Sequence, residues 1–254
     1  MYTTVKNIFY VLVRIVYKNY VFDLYGTLID INTDEDSSIF WDKLSLFYSF
    51  KGAKYTSSEL KCSYNNIVKS MLDSCTYTKY PDIKLELVFS KLYRDKGVLA
   101  SDELISDTAQ IFRILSINYI KLYDGVLELL DLLKSKGKKI YLLSNAQRIF
   151  TLYEMKTLGI DKYFDDIFFS SDYGTCKPDS TFFNSLLTKH NLNIKESIMI
   201  GNDPRSDISG AISVGMDSFY IHSNQSPKVD EQNIKSTYKV MKMDIKKISE
   251  LTIK

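Results

Sequence analysis

The sequence predicts an α/β protein: a three-layer core with a mostly parallel sheet sandwiched by helices, and a small helical module inserted into it. Three observations predict it. Short apolar runs, among them Tyr20-Val21-Phe22, Tyr141-Leu142-Leu143 and Ile198-Met199-Ile200, alternate with helical patterns over the second half of the chain. Each run stops abruptly at polar or charged residues. Between the first run and the rest lies a long block whose apolar residues recur at helical spacing, with no strong strand pattern inside it. Alternating strands and helices predict right-handed crossovers and a mostly parallel sheet, whose ligands bind at the carboxyl ends of its strands.

Composition narrows the function classes. The chain has 254 residues, long enough for a core and a smaller inserted unit. Its 45% hydrophobic and 25% charged residues are ordinary for a water-soluble fold. The net charge is +2 and the basic residues are dispersed, so no nucleic-acid groove is expected. Cys62, Cys75 and Cys176 form neither a metal-ligand spacing nor a disulfide framework, which suggests a reducing, cytoplasmic setting. Residues 1–18 form an N-terminal extension. Its apolar run, Ile8 to Val16, is interrupted by Arg14 and too short to span a membrane. No small-residue cleavage site follows it. It reads as an extra strand or helix, or as a start codon placed too early, and no membrane association is expected.

The remaining elements follow in order. Residues 19–32 and 122–254 are expected to form the core, and 33–121 the inserted helical module. The first strand ends at Asp23, with Gly26 permitting a sharp turn beside it. A polar loop or crossover follows through Asp36. In that module, Phe40, Trp41, Leu44, Phe47 and Tyr48 share a helical face. Thr56 and Glu59 have capping-box spacing before a helix to about Leu72. Leu85 to Leu92 and Leu104 to Ile120 supply two further stripes. In the core, helices are expected at Val126–Lys136, Arg148–Leu158, Thr181–His190 and Asp207–Val214. Strands are expected at Lys139–Leu143, Ile167–Phe169, Ser197–Ile200 and Ser218–Ile221, with a last strand and helix in the tail.

The polar residues just past these runs form a set. Asp23 and Thr27 follow the first strand, and Ser144-Asn145 the second. Lys177-Pro178 follows Phe168-Phe169 after a short loop, and Gly201-Asn202-Asp203 through Asp207 follows Ile198-Met199-Ile200. In parallel neighbouring strands they would converge on one edge. A carboxylate such as Asp23 can attack phosphorus and form an aspartyl-phosphate. Asp23 and Asp203 offer oxygen ligands to Mg²⁺. Thr27 and Ser144 can bind phosphate oxygens, and Lys177 can neutralise developing charge.

With these residues in view the sequence resembles the haloacid dehalogenase-like hydrolases over about residues 19–222. The motifs are Asp23-Leu24-Tyr25-Gly26-Thr27-Leu28, Ser144-Asn145, Lys177-Pro178, and Gly201-Asn202-Asp203 through Asp207 into Ile208-Ser209-Gly210-Ala211. The resemblance implies a Rossmann-like, three-layer parallel-sheet core with an inserted helical cap, a covalent intermediate at Asp23, and selection of a small-molecule substrate by the cap. It implies a site in which Thr27, Ser144, Asn145 and Lys177 bind phosphate. The metal set is Asp23, the backbone carbonyl of Tyr25 and Asp203, with Asp207 orienting Lys177 or a metal-bound water. Asn202 is expected to face the cap.

One position departs from the family's phosphatases, which carry a second aspartate where this chain has Tyr25. An aromatic residue there resembles the metal-independent 2-haloacid dehalogenases. The acid-rich fourth motif resembles the Mg²⁺-dependent phosphatases instead, and Ile39 to Leu44 holds no arginine for a substrate carboxylate, only Lys43. The expected function is therefore a Mg²⁺-dependent phosphatase of a small phosphorylated metabolite with a good leaving group, or one taking its acid from Asp30 or Asp34. A dehalogenase and a catalytically degenerate binding or regulatory module are the alternatives. Cys176 reads as a neutral packing residue, and His190 and His222 as surface residues. The protein is expected to be a monomer or homodimer.

Overall fold

A computed structural model describes residues 17–253. The readings made for residues 1–16 lie outside the described residues. Tyr17 is already buried in the core, and Lys18 continues the first strand's pairing through Lys18 N–H to Glu196 O (2.8 Å) and Lys139 N–H to Lys18 O (2.9 Å).

Six parallel strands form the sheet: β1 (Asn19–Phe22), β4 (Lys139–Ser144), β5 (Asp166–Phe169), β6 (Ser197–Gly201), β7 (Asp217–Ile221) and β8 (Tyr238–Val240), in the order β5-β4-β1-β6-β7-β8. After β1 the chain builds outward through β4 and β5, then crosses back to β6. β1 therefore lies at the switch of winding direction, where a crevice opens at the carboxyl edge of such sheets. Strand alternation sends side chains to two apolar layers. Tyr20, Phe22, Ile140, Leu142, Ile198 and Ile200 pack on one face with helix α5 (Val126–Ser135) and the last helix, α10 (Lys246–Thr252). Val21, Tyr141, Leu143, Phe168 and Met199 pack on the other against α8 (Ser180–Lys189).

A third apolar cluster joins helices α1 (Ser38–Phe50), α2 (Ser57–Asp73), α3 (Leu85–Arg94) and α4 (Asp102–Ser116). It centres on Phe40, Trp41, Tyr48, Phe89, Tyr93 and Phe112 and includes Phe150 from the core helix α6 (Arg148–Thr157). The expected N-cap of α2 is formed: Glu59 N–H donates to Thr56 Oγ1 at 3.2 Å.

The block between the motifs is not wholly helical. Ile29–Thr33 is a strand, β2, paired antiparallel with β3 (Ile117–Leu122) in a two-stranded ribbon between the core and the four helices. The expected loop after Asp23 and the end of the helical stripe at Ile120 are both corrected here. Ile29, Ile31, Ile117 and Ile120 are β-branched, and cross-strand pairing overrides the helical spacing that continues into them. The helix expected from Asp207 begins earlier, as a π turn over Pro204–Ile208, and continues as α9 (Ser209–Ser213). The short α7 (Ser170–Tyr173) lies between β5 and the Lys177 loop.

Candidate active site

Asp23 follows the last residue of β1, and its N–H donates to Ile200 O of β6 at 2.9 Å. The turn after it closes through Leu28 N–H to Leu24 O (2.8 Å) and Gly26 N–H to Ile29 O (2.8 Å). Gly26 has φ +78°, and a Cβ there would lie 2.3 Å from the Asn202 amide nitrogen. Only glycine meets both the left-handed conformation and this close approach. Gly201 has a similar duty: its missing Cβ leaves room for the Asp207 carboxylate, which would otherwise be 2.3 Å away.

The four sequence-predicted loops converge. Asp23, Tyr25, Ser144, Asn145, Lys177, Asp203 and Asp207 line one cavity of about 220 Å³ together with Asn202, Ser206 and Gln225. Lys177 Nζ is buried and lies 2.7 Å from both Asp23 Oδ1 and Asp207 Oδ1. Burial alone would lower the proton affinity of the ammonium, but the two carboxylates outweigh it and hold the lysine above its ordinary range. Burial pushes the Asp207 carboxyl up to about 6; Lys177 opposes the rise and the neighbouring Asp23 charge adds to it. Thr27 Oγ1 donates to Asp23 Oδ2 at 3.2 Å and lies 3.3 Å from Asn202 Oδ1.

The other expected site residues have these partners in the structure. Asn145, expected at the phosphate, lines the cavity, and its carboxamide accepts from Lys177 N–H (2.8 Å) and donates to Lys177 O (3.0 Å), which braces the lysine loop. Asn202 does not face the cap. It turns inward onto Gly26 and Thr27, with its amide donating to Ser223 Oγ at 3.3 Å. The Asp203 carboxylate is turned to Arg205, accepting from Arg205 N–H at 2.8 Å, while Asp203 N–H donates to Asp207 Oδ2 at 2.9 Å. Among the described residues no three acidic, histidine or cysteine side chains come together as a metal cluster.

Tyr25, named with Asp23 and Lys177 among the expected catalytic residues, has its hydroxyl donating to Glu154 and 3.0 Å from Thr151 Oγ1. Burial first, and the Glu154 charge second, keep this phenol protonated well above its ordinary range. Asp30 and Asp34, the expected sources of an acid, do not line the cavity. Asp30 sits on the ribbon, outside the cavity wall, bonded by Asn224 (2.9 Å), Gln225 (3.2 Å) and Tyr119 (3.1 Å), which outweigh burial and hold it ionised below its ordinary range. Asp34 caps the exposed turn at Asp36 and Ser37. Cys176 fits its packing role: burial, then the Asp82 charge, push its thiol up to about 12. His190 bonds Asp166 and His222 bonds Tyr220, each at 2.7 Å, away from the cavity. Lys43 is exposed and does not line it.

Gln225 was not anticipated, though it follows the apolar run Phe219-Tyr220-Ile221 by the rule that located the others. Arg113 and Glu154, joined by a 2.5 Å bond from Arg113 Nε, were also missed. Their signal was a charged residue on an otherwise apolar helix face, in α4 and in α6.

The oxygen-rich site thus lies at the switch point of the parallel sheet of an α/β, Rossmann-like core. The family model described as haloacid dehalogenase-like hydrolase matches residues 17–215, and the chain belongs to that family. It is 24% identical over 230 residues to YfnB of Bacillus subtilis (strain 168), described as a HAD-hydrolase, covering 90% of this chain and 93% of that one. YfnB's magnesium-bound crystal structure superposes with a TM-score of 0.55 at 19% identity, covering 93% and 99% of the two chains. The glyceraldehyde 3-phosphate phosphatase of Methanocaldococcus jannaschii is 25% identical over 187 residues, 67% of this chain and 81% of its own. A 2-haloacid dehalogenase from Pseudomonas syringae pv. Tomato DC3000 shares the fold, with a TM-score of 0.62 at 20% identity over 92% and 97% of the chains. No described helix is long and apolar enough to cross a membrane.

Proposed function

We propose that this hydrolase is a Mg²⁺-dependent phosphatase of a small phosphorylated metabolite, acting through an aspartyl-phosphate at Asp23. The observation that carries the reading is the charge balance of the site. One ammonium, Lys177, bridges two buried carboxylates, Asp23 and Asp207, leaving one negative charge in excess at a cavity lined by oxygen donors. Such an excess favours a hard cation. Asp23, the Tyr25 carbonyl and Asp203 would hold Mg²⁺, with Asp207 behind them, once the Asp203 side chain leaves Arg205. When bound, the ion neutralises phosphate charge and admits the anion to an anionic nucleophile.

The chain's own residues divide the work. An Asp23 carboxylate oxygen attacks phosphorus as the bond from phosphorus to the leaving oxygen breaks. Lys177 and the Ser144 hydroxyl stabilise charge on the transferring group. Water then attacks the phosphorus of the aspartyl-phosphate, releasing inorganic phosphate and regenerating Asp23. The protons are exchanged with water, because the Tyr25 phenol is committed to Glu154. A substrate whose leaving group is already acidic suits such a site. The relatives named for phosphorylated substrates support the class, and the identity to them is too low to carry their substrates across.

A metal-independent dehalogenase is the second reading, favoured by Tyr25. Against it, the cap arginine beside Tyr25, Arg113, is already paired with Glu154 and not free for a substrate carboxylate. One set of assays separates the readings: phosphate release from an aryl phosphate with Mg²⁺ and with chelator, and chloride release from 2-chloropropionate, each with Asp23→Asn as control. Mg²⁺-dependent phosphate release that falls by about 10³-fold or more in Asp23→Asn is expected. Halide release without metal would replace the phosphatase reading, and neither activity across a metabolite panel would favour a binding module.

A further inference from the structure

A second buried charged cluster stands beside the nucleophile loop, and none of the roles above uses it. Tyr25 donates its phenol to Glu154 of α6, with Thr151 Oγ1 3.0 Å from the same oxygen. Glu154 receives Arg113 Nε from α4 at 2.5 Å, and both side chains are about nine-tenths buried. The guanidinium also lies over the rings of Phe150 (4.8 Å) and Tyr25 (5.5 Å). A buried carboxylate is stable there because a cation and the Tyr25 hydroxyl satisfy it. The chain of contacts thus runs from a helix of the inserted unit, through a core helix, to the residue two positions after Asp23.

We infer that Arg113, acting through Glu154, is a positioning residue for the nucleophile loop. The inference rests on the proposed phosphatase reaction. Tyr25 lines the reaction cavity, and its backbone carbonyl is one of the metal donors in that reading. Fixing the phenol against Glu154 keeps the ring out of the roughly 220 Å³ cavity and fixes the direction of the carbonyl. Because Arg113 belongs to α4 and Glu154 to α6, the anchor is complete only when the helical unit is seated on the core. Seating of the cap and geometry at the nucleophile are therefore one event.

The test is a double-mutant cycle on the 254-residue chain. Arg113→Met, Tyr25→Phe and the double variant are compared by kcat and KM for an aryl phosphate at saturating Mg²⁺. Each single change is expected to lower kcat about tenfold with KM shifted less than about twofold, and the double to be no worse than the poorer single. Arg113→Lys should recover part of the loss. Losses that multiply, or an Arg113→Met enzyme with wild-type kcat, overturn the inference. If Arg113→Met does not fold, the Arg113→Lys and Tyr25→Phe cycle is scored the same way. A second readout needs no turnover. In protein labelled with 3-fluorotyrosine, the ¹⁹F resonance missing from Tyr25→Phe identifies Tyr25. Arg113→Met, or Arg113→Lys if the former is unfolded, is expected to shift that resonance, while Arg94→Met, at an exposed site on α3, leaves it in place. An unshifted resonance overturns the inference even in an inactive protein. Wild-type protein that releases no phosphate but shows the shift refutes the phosphatase reading alone.

Discussion

Two buried charged clusters flank the loop after β1, and they are built to opposite balances. Around Lys177, one ammonium serves two carboxylates, so a negative charge is left over. Around Arg113, one guanidinium serves one carboxylate, and the third partner is a neutral phenol. The first cluster opens onto the cavity and has capacity for a further cation or an incoming phosphoryl group. The second closes on itself, with Glu35 at 4.0 Å as its nearest outer charge. Burial costs free energy in both cases, and what differs is whether the folded chain discharges it internally. An unbalanced cluster is a place for chemistry, and a balanced one is a place for architecture.

Removing the shared cation should break the first cluster most severely. Lys177→Met leaves Asp23 and Asp207 buried side by side, and a loss of roughly 3–5 kcal/mol in urea unfolding is expected. Adding Asp207→Asn to that variant should return part of it. If Lys177→Met unfolds at the wild-type midpoint, the two carboxylates do not depend on this ammonium.

The charge excess also has a pH signature. The Asp207 carboxyl sits at about 6 in the folded chain against an ordinary 3.8, chiefly because it is buried. Between those values the folded chain keeps a proton that the unfolded chain has released. The stability contributed by this group is therefore fully present below about 3.8 and is lost as pH rises through about 6. In chelator, wild type should lose stability relative to Asp207→Asn between pH 4 and 7. A constant difference across that range would show that the carboxyl is not held up. The balanced cluster should respond least: Tyr25→Phe removes one hydrogen bond to Glu154 while Arg113 remains, for a loss of about 1 kcal/mol in the same unfolding measurement. A loss as large as that of Lys177→Met would erase the distinction between the clusters.

The active-site half of this contrast was legible in the sequence because each of its residues obeys a local rule. Asp23, Ser144 and the run from Asn202 to Asp207 follow directly on buried apolar strands, and parallel pairing carries strand ends to one edge whatever the loops do. Gln225 obeys the same rule and was overlooked. The cap side was much less legible. Ile117–Leu122 continues a helical spacing and becomes a strand only because Ile29–Thr33 lies opposite it. Asp30, proposed from the sequence as an acid, is bonded on the ribbon by residues some 90 to 195 positions away. Arg113 and Glu154 are 41 residues apart, each in a different apolar stripe, and nothing local pairs them.

The sequence by itself determined the α/β class, the order of the strands and helices of the core, and the residues that gather around Asp23. Those follow from hydrophobic periodicity and from turn residues, which act over a few positions; the family was legible in the four motifs through resemblance. Only the tertiary structure decided where these polar groups spend their hydrogen bonds: Asn145 on the lysine loop, Asn202 on Thr27 and Ser223, and Tyr25 on Glu154. A polar side chain is committed by whichever partner packing brings within about 3 Å. That choice is made by whole helices and strands settling against one another, and no stretch of the chain encodes it alone.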